Sequence, residues 1–145
     1  MKPIAEQQIE EAALEILQEL GYNYIYGPNI APDGENPLRS RWDDVILTDK
    51  LTAAINKLNP QLTDEAVEEA IKKLKRLSAH LLKNNEQFHQ FLTEGIPLEY
   101  RTKGKIITDN VKLIDFKNPK NNEFLAVNQF TIIENNKNRR PDIII

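Results

Sequence analysis

The chain has no cysteine, so disulfides and thiolate zinc sites are excluded. Histidine is scarce. Only His80 and His89 carry imidazole, so a metal site here is expected to use oxygen ligands, which suit Mg²⁺ or Ca²⁺. Long apolar runs are missing too, and none approaches the length that spans a bilayer. Met-Lys-Pro-Ile-Ala-Glu runs straight into an acidic amphipathic pattern, so no signal peptide is expected and a cytoplasmic location is. A basic excess is also absent. The net charge of −3 is not the footprint of a dedicated nucleic-acid binder. No internal repeat is visible, and there is no phosphate-cradling Gly-x-x-x-x-Gly-Lys-Ser/Thr loop.

What is present is ordinary globular material. The 40% hydrophobic and 28% charged fractions fit a soluble protein, and 145 residues suffice for one domain with a real core. Ile9, Ala13, Ile16, Leu17 and Leu20 recur at helical spacing, and Gly21 is placed to end that helix. Tyr22 to Tyr26 reads as a short strand, and Gly27 to Pro37 as a loop. A second helix is expected over Asp49 to Leu58, broken by Asn59-Pro60. Thr63 should cap a third, with Val67, Ala70, Ile71, Leu74, Leu77 and Leu81 as its stripe. A fourth runs from about Asn85 to Glu94 and stops at Gly95.

The period then changes to two. Leu98 to Arg101 and Lys105 to Thr108 flank Lys103-Gly104 as a hairpin. Val111 to Phe116 reads as a strand, Asn118 to Glu123 as a polar turn, and Phe124 to Ile133 as one long, partly two-sided buried strand. Glu134 to Arg140 reads as a basic turn, and Asp142 to Ile145 as the start of a further strand. The expected organisation is α/β, with residues 1–95 mainly helical and 96–145 mainly strands.

The last eight residues, Asn138-Arg-Arg-Pro-Asp-Ile-Ile-Ile145, put an acid at the start of an apolar strand. Metal-dependent phosphodiester cleavage needs carboxylates to hold a divalent ion on the scissile phosphate, and a strand start is a rigid mount for one. A neighbouring strand carrying Glu-x-Lys would add a second ligand and a cation on one face. That half needs on the order of ten further residues, whereas three follow Asp142. Taken alone, Pro-Asp is also an ordinary turn dipeptide. The net negative charge does not exclude a nuclease, because such a site concentrates carboxylates and other subunits can hold the duplex.

The wider context is more specific. Val111-Lys-Leu-Ile-Asp-Phe116, Asn118-Pro119-Lys120-Asn121-Asn122, Phe124-Leu-Ala-Val-Asn-Gln-Phe-Thr131 and Asn138-Arg-Arg-Pro-Asp142 closely resemble the N-terminal nuclease region of the restriction (R) subunit of type I restriction-modification enzymes. Upstream, Glu10 to Leu17 with Leu20-Gly-Tyr22, Arg39 to Leu47, Leu58-Asn-Pro60 and Phe88-His89 to Ile96 resemble its other landmarks, so the likeness covers essentially the whole chain.

The resemblance implies a PD-(D/E)xK endonuclease domain with a restriction-endonuclease-like mixed sheet flanked by helices, interrupted at the C-terminal strand. It implies a parent that cleaves unmodified double-stranded DNA with Mg²⁺, coupled to ATP-driven translocation, beside methylation and specificity subunits. Asp142 matches the motif's aspartate and metal ligand. Glu10 matches a position where such nucleases often place an auxiliary acid; as a residue alone it reads as a solvated helix position one turn after Glu6. The Glu-x-Lys partners are not in these residues, so the chain alone is expected to be inactive. A non-catalytic subunit-docking module and a degenerate nuclease are the alternatives.

The remaining candidates read two ways. Arg139 and Arg140 suit contact with the DNA backbone, or a solvated turn. Gln129 is a buried amide that needs hydrogen-bond partners, or a group near the phosphate. Arg39 and Arg41 are expected to pair with Asp43 or Asp44. Asp115-Phe-Lys117, the one Asp/Glu-x-Lys present, precedes Pro-Asp and reads as a strand end. Trp42 and the tyrosines read as core or interface. His80 and His89 read as helix residues rather than ligands. The lysines from Lys72 to Lys75 with Arg76 beside Glu65, Glu68 and Glu69 read as an exposed, ion-paired helix.

Overall fold

The structure is a computed structural model describing residues 5–77 and 81–145; the opening residues 1–4 and His80 lie outside them. Its described elements are α1 (Glu6–Glu19), β1 (Asn23–Tyr26), α2 (Thr48–Leu58), α3 (Asp64–Lys75), α4 (Leu81–Glu94), β2 (Ile96–Thr102), β3 (Lys105–Val111), β4 (Leu125–Asn128), β5 (Ile132–Glu134), β6 (Lys137–Arg139) and β7 (Ile143–Ile144). The chain is thus mixed α/β, with four α-helices among the described residues and three small sheets. Among those residues no helix is long and apolar enough to cross a membrane. The chain divides into two units, one up to Leu47 and again from Glu123, the other Thr48–Asn122.

The first unit is built on a mixed sheet in the order β1-β4-β7. β4 is central. It runs parallel to β1, with Ile25 beside Val127 and Tyr26 beside Asn128, and antiparallel to β7, with Asn128 beside Ile143. Side chains alternate across a strand, so Ile25 and Val127 share one face while Tyr24, Tyr26 and Asn128 share the other. The first face packs on Ile30 and Phe130, with Leu38, Leu47 and Ile144 around them. Gly27 lies so close to β4 that a Cβ there would sit 2.3 Å from the Asn128 carbonyl oxygen.

α1 ends as expected at Gly21, whose φ of +95° is left-handed. The Gly21 and Tyr22 amides donate to the Gln18 and Leu17 carbonyls, satisfying the helix end. The buried face differs from the expected one. Leu14 is buried and Glu10, Ala13 and Leu17 are half-buried beside it, whereas Ile9, Ile16 and Leu20 are 57–70% exposed. Two apolar stripes on one helix both satisfy a 3.6-residue period, and a polar anchor described below selects between them.

Several strand expectations are corrected here by side-chain chemistry. The strand expected over Val111 to Phe116 ends at Val111. Asp115 turns the chain instead: its Oδ1 accepts from the Lys117 and Asn118 amides and its Oδ2 from Asn121 Nδ2. Those bonds hold its carboxyl below the ordinary range, Asn121 contributing most. Asp115-Phe-Lys117 is therefore a loop clasp. The long strand over Phe124 to Ile133 is broken at Gln129, whose φ is +53°. Glu134 to Arg140 is a hairpin rather than a plain turn, with β5 and β6 joined by Asn135-Asn136 at φ +51° and +58°. Asn tolerates that left-handed turn better than most residues.

In the second unit α2 and α3 pack together, and α3 and α4 pack on β2. Thr63 caps α3 as expected, its Oγ1 accepting from the Ala66 amide. Val67, Ala70, Ile71 and Leu74 are buried, but α3 stops at Lys75, so Leu77 and Leu81 lie beyond it. Lys72 reaches Glu68 at 3.9 Å on the exposed face. The β2–β3 hairpin turns at Lys103-Gly104 as expected. Asn59 does more than break a helix. At 2% exposure, its Nδ2 donates to the Ile55 and Lys112 carbonyls and its Oδ1 accepts the Lys112 amide, at 2.8–2.9 Å. Replacing it leaves buried backbone groups unmade. Asn59→Ala is expected to lower stability by about 2–4 kcal/mol in urea denaturation, whereas an exposed Asn56→Ala should change it by under about 0.5 kcal/mol.

Candidate active site

The site lies in the first unit, where β1 and β4 end against α1. Period two places Tyr24, Tyr26 and Asn128 on the sheet face towards the helix. Glu10 is the polar residue of the helix's inward stripe. One of its oxygens accepts from Asn128 Nδ2 at 2.7 Å and the other from Gln129 Nε2 at 2.9 Å. Asn128 Oδ1 accepts in turn from the Tyr24 hydroxyl at 3.0 Å. A carboxylate only accepts, so this network also fixes which end of each amide faces Glu10. Burial pushes the Tyr24 hydroxyl pKa up, helped by the nearby Tyr26 and Glu10 and opposed by the Asn128 bond.

Gln129 turns sharply at the end of β4. Its left-handed backbone lets its side chain reach Glu10 while its amide donates to the Asp142 carbonyl at 3.0 Å. That bond extends the β4–β7 pairing by one step and seats Asp142 at the mouth of β7. The outcome is an open cleft of about 570 Å³. Glu10, Asn128, Gln129, Arg140, Asp142 and Tyr24 all line it. Of the residues singled out in the sequence, Asp142, Glu10, Gln129 and Arg140 are therefore brought together. Arg139 lies one residue away on β6, exposed, and does not line the cleft. Tyr24 and Asn128 were not foreseen as part of the site. A polar residue at a β4 position facing a helix that presents an acid was the available signal.

The donor chemistry suits a hard divalent cation in part. Asp142 is exposed, with no hydrogen bond to its side chain among the described residues, and Glu10 uses both oxygens on amides. No group of three His, Cys, Asp or Glu side chains suited to a metal occurs among the described residues. Two carboxylates are within the usual complement for Mg²⁺, which takes one or two plus substrate phosphates.

Arg39 and Arg41 behave differently from one another. Arg41 pairs with Asp43 as expected, Nε to Oδ1 at 2.8 Å and Nη2 to Oδ2 at 2.6 Å, on the surface. Arg39 is buried and binds carbonyls instead of a carboxylate. Its guanidinium donates to Trp42, Asp44 and Thr131 oxygens and lies 3.8 Å over the centre of the Phe130 ring. It thereby ties the loop of residues 39–44 to the root of the β5–β6 hairpin.

Two acids and an arginine thus meet on one cleft at the end of a mixed sheet. The comparisons supply the family. Residues 3–145 match the family described as type I restriction enzyme R protein N terminus, and the chain belongs to that family. It is 35% identical over 141 residues to a putative type I restriction enzyme MjaIXP endonuclease subunit of Methanocaldococcus jannaschii, covering 94% of this chain and 13% of that protein. It is also 35% identical over 141 residues to the type I restriction enzyme HindI endonuclease subunit of Haemophilus influenzae, covering 96% and 13%. The chain thus spans about an eighth of the length of these relatives. No solved structure matches it.

The Glu10 network yields a stability test. Glu10→Gln sets an amide NH₂ against one of the two donors, leaving a half-buried bond unmade. A loss of about 1–3 kcal/mol is expected in urea denaturation, against under about 0.5 kcal/mol for the exposed Glu15→Gln.

Proposed function

We propose that the cleft is the opening part of a PD-(D/E)xK nuclease site in a restriction-endonuclease-like domain. The observation that carries this is the convergence of Glu10 from α1 and Asp142 from the start of β7 on one cleft that Arg140 also lines. In this reading Asp142 holds Mg²⁺, with Glu10 as the auxiliary acid. The bound ion supplies Lewis-acid polarisation of a phosphoryl oxygen and a more acidic water. Arg140 and Arg139 balance phosphate charge, for which guanidinium is well shaped. Gln129 holds the Glu10 carboxylate in place, and Asn128 and Tyr24 support it from the far side.

At the level of the whole protein, the reading is an R subunit that cleaves unmodified double-stranded DNA, coupled to ATP-driven translocation, together with methylation and specificity subunits in the cytoplasm. The names of the two relatives support the restriction context. The 145 residues contain no Glu-x-Lys after Asp142. They are expected not to cleave on their own.

A second reading, a docking module without chemistry, draws on the exposed Ile9, Ile16 and Leu20 stripe of α1. One experiment separates the two. In the full-length protein assembled with its partner subunits, Asp142→Ala is expected to abolish Mg²⁺-dependent DNA cleavage, a loss larger than the about 10–100-fold that removing an outer-shell partner of a metal ligand costs. Assembly and ATP hydrolysis should persist. Cleavage that survives Asp142→Ala would refute the site; a wild-type complex that assembles and translocates but never cuts would favour docking or a degenerate nuclease.

A further inference from the structure

The β5–β6 hairpin and the residue after it are net positive, three cations to one acid. Within a chain of net charge −3, Lys137, Arg139 and Arg140 follow one another at its descending leg. None of the three has an ion pair or side-chain hydrogen bond among the described residues. Arg140 lines a cleft with two carboxylates and still pairs with neither. Exposed and unpaired, the two guanidinium groups keep their planar donor forks open to an outside anion such as a phosphate.

The hairpin is also held firmly, not left to swing. Its ascending leg starts three residues after Gln129 and its descending leg runs into Arg140, so both legs leave from the cleft. Phe130, 1% exposed, plugs the core at its root. The Ile133 amide donates to the Trp42 carbonyl at 3.2 Å, and Arg39 holds the Thr131 carbonyl. Register places Lys137 opposite Glu134 and Arg139 opposite Ile132 on one face. Lys137 and Arg139 therefore share one face of an exposed ladder, about 3.3 Å per residue, and Arg140 follows at its foot on the acid-lined cleft.

We infer that this hairpin, through Lys137, Arg139 and Arg140, is a phosphate-backbone contact that seats duplex DNA over the cleft. The inference rests on the nuclease reading above and adds to it a named element and a third cation. The contact reads no sequence, since phosphates position a duplex and base edges specify it. Glu134 is the one acid on the hairpin and opposes the contact.

The test is the salt dependence of duplex binding by the full 145-residue chain, measured by fluorescence anisotropy on a short blunt-ended DNA duplex. Each phosphate neutralised contributes about −0.9 to the slope of log K against log salt. The triple change K137Q, R139Q, R140Q is expected to flatten the slope by about 2 to 3. A charge-matched control on three exposed lysines of the other unit, K57Q, K105Q, K120Q, should change it far less. Glu134→Lys should steepen it by about one and tighten binding, a gain that misfolding cannot produce. Equal slopes for wild type and the hairpin variant, equal effects of the two triple changes, or no gain from Glu134→Lys would overturn the hairpin contact while leaving the nuclease reading standing. Absence of any duplex binding by wild type at low salt, with binding intact in the full-length complex after the same hairpin changes, would overturn it as well. Loss of Mg²⁺-dependent cleavage dependence on Asp142 would instead strike the reading beneath it.

Discussion

The carboxylate of Glu10 is the interaction on which the first unit depends. Held by Asn128 and Gln129 amides at 2.7 and 2.9 Å, it anchors α1 to the end of β4. A half-buried carboxylate must have donors, and charge-assisted bonds are about twice as strong as neutral ones. Meeting that need sets the helix's rotation. It puts Leu14 inward and leaves Ile9, Ile16 and Leu20 outside. It also requires Gln129 to leave the strand in a left-handed conformation, which ends β4 and starts the chain toward the hairpin. The chain returns at Arg140 and Asp142, so the bond that orients the helix also frames the cleft.

Much of the fold was legible from residues whose chemistry acts locally. Gly21, Thr63, Asn59-Pro60, Lys103-Gly104 and Gly95 each impose a backbone geometry regardless of distant contacts, and each element boundary they mark is present. What was not legible depended on partners far along the chain. Periodicity alone could not choose between the two stripes of α1, because the choice rests on Asn128 and Gln129. The apolar look of Phe124 to Ile133 concealed a break at Gln129, since nothing local announces that its side chain will turn to an acid on the first helix. Asp115 and Asn122 diverted a segment of strand-like composition into a loop by offering their side chains to the backbone.

The site follows the same division. Asp142 and Glu10 stood out by residue type and by family resemblance, and the structure sets both on one cleft with Gln129 and Arg140. Tyr24 and Asn128 did not stand out, because a tyrosine in a strand and an asparagine in an apolar run have ordinary structural explanations. Their contribution is to hold the acid in one orientation. A carboxylate held in this way has less conformational freedom left to lose than a mobile one. Arg39 belongs to the same scheme from another side. Buried against Phe130 and bonded to three carbonyls, it fixes the root of the hairpin that rises beside the cleft.

The central claim is that Glu10 and Asp142 share one divalent-cation site. Mn²⁺, which takes the same oxygen ligands as Mg²⁺ and broadens nearby NMR signals, tests it directly on the ¹⁵N-labelled chain. The account predicts that amides of residues 10, 129 and 142 broaden first and that Asp142→Asn removes the effect at all three together. Broadening spread evenly over the exposed carboxylates, or unchanged at residues 10 and 129 after Asp142→Asn, would contradict it.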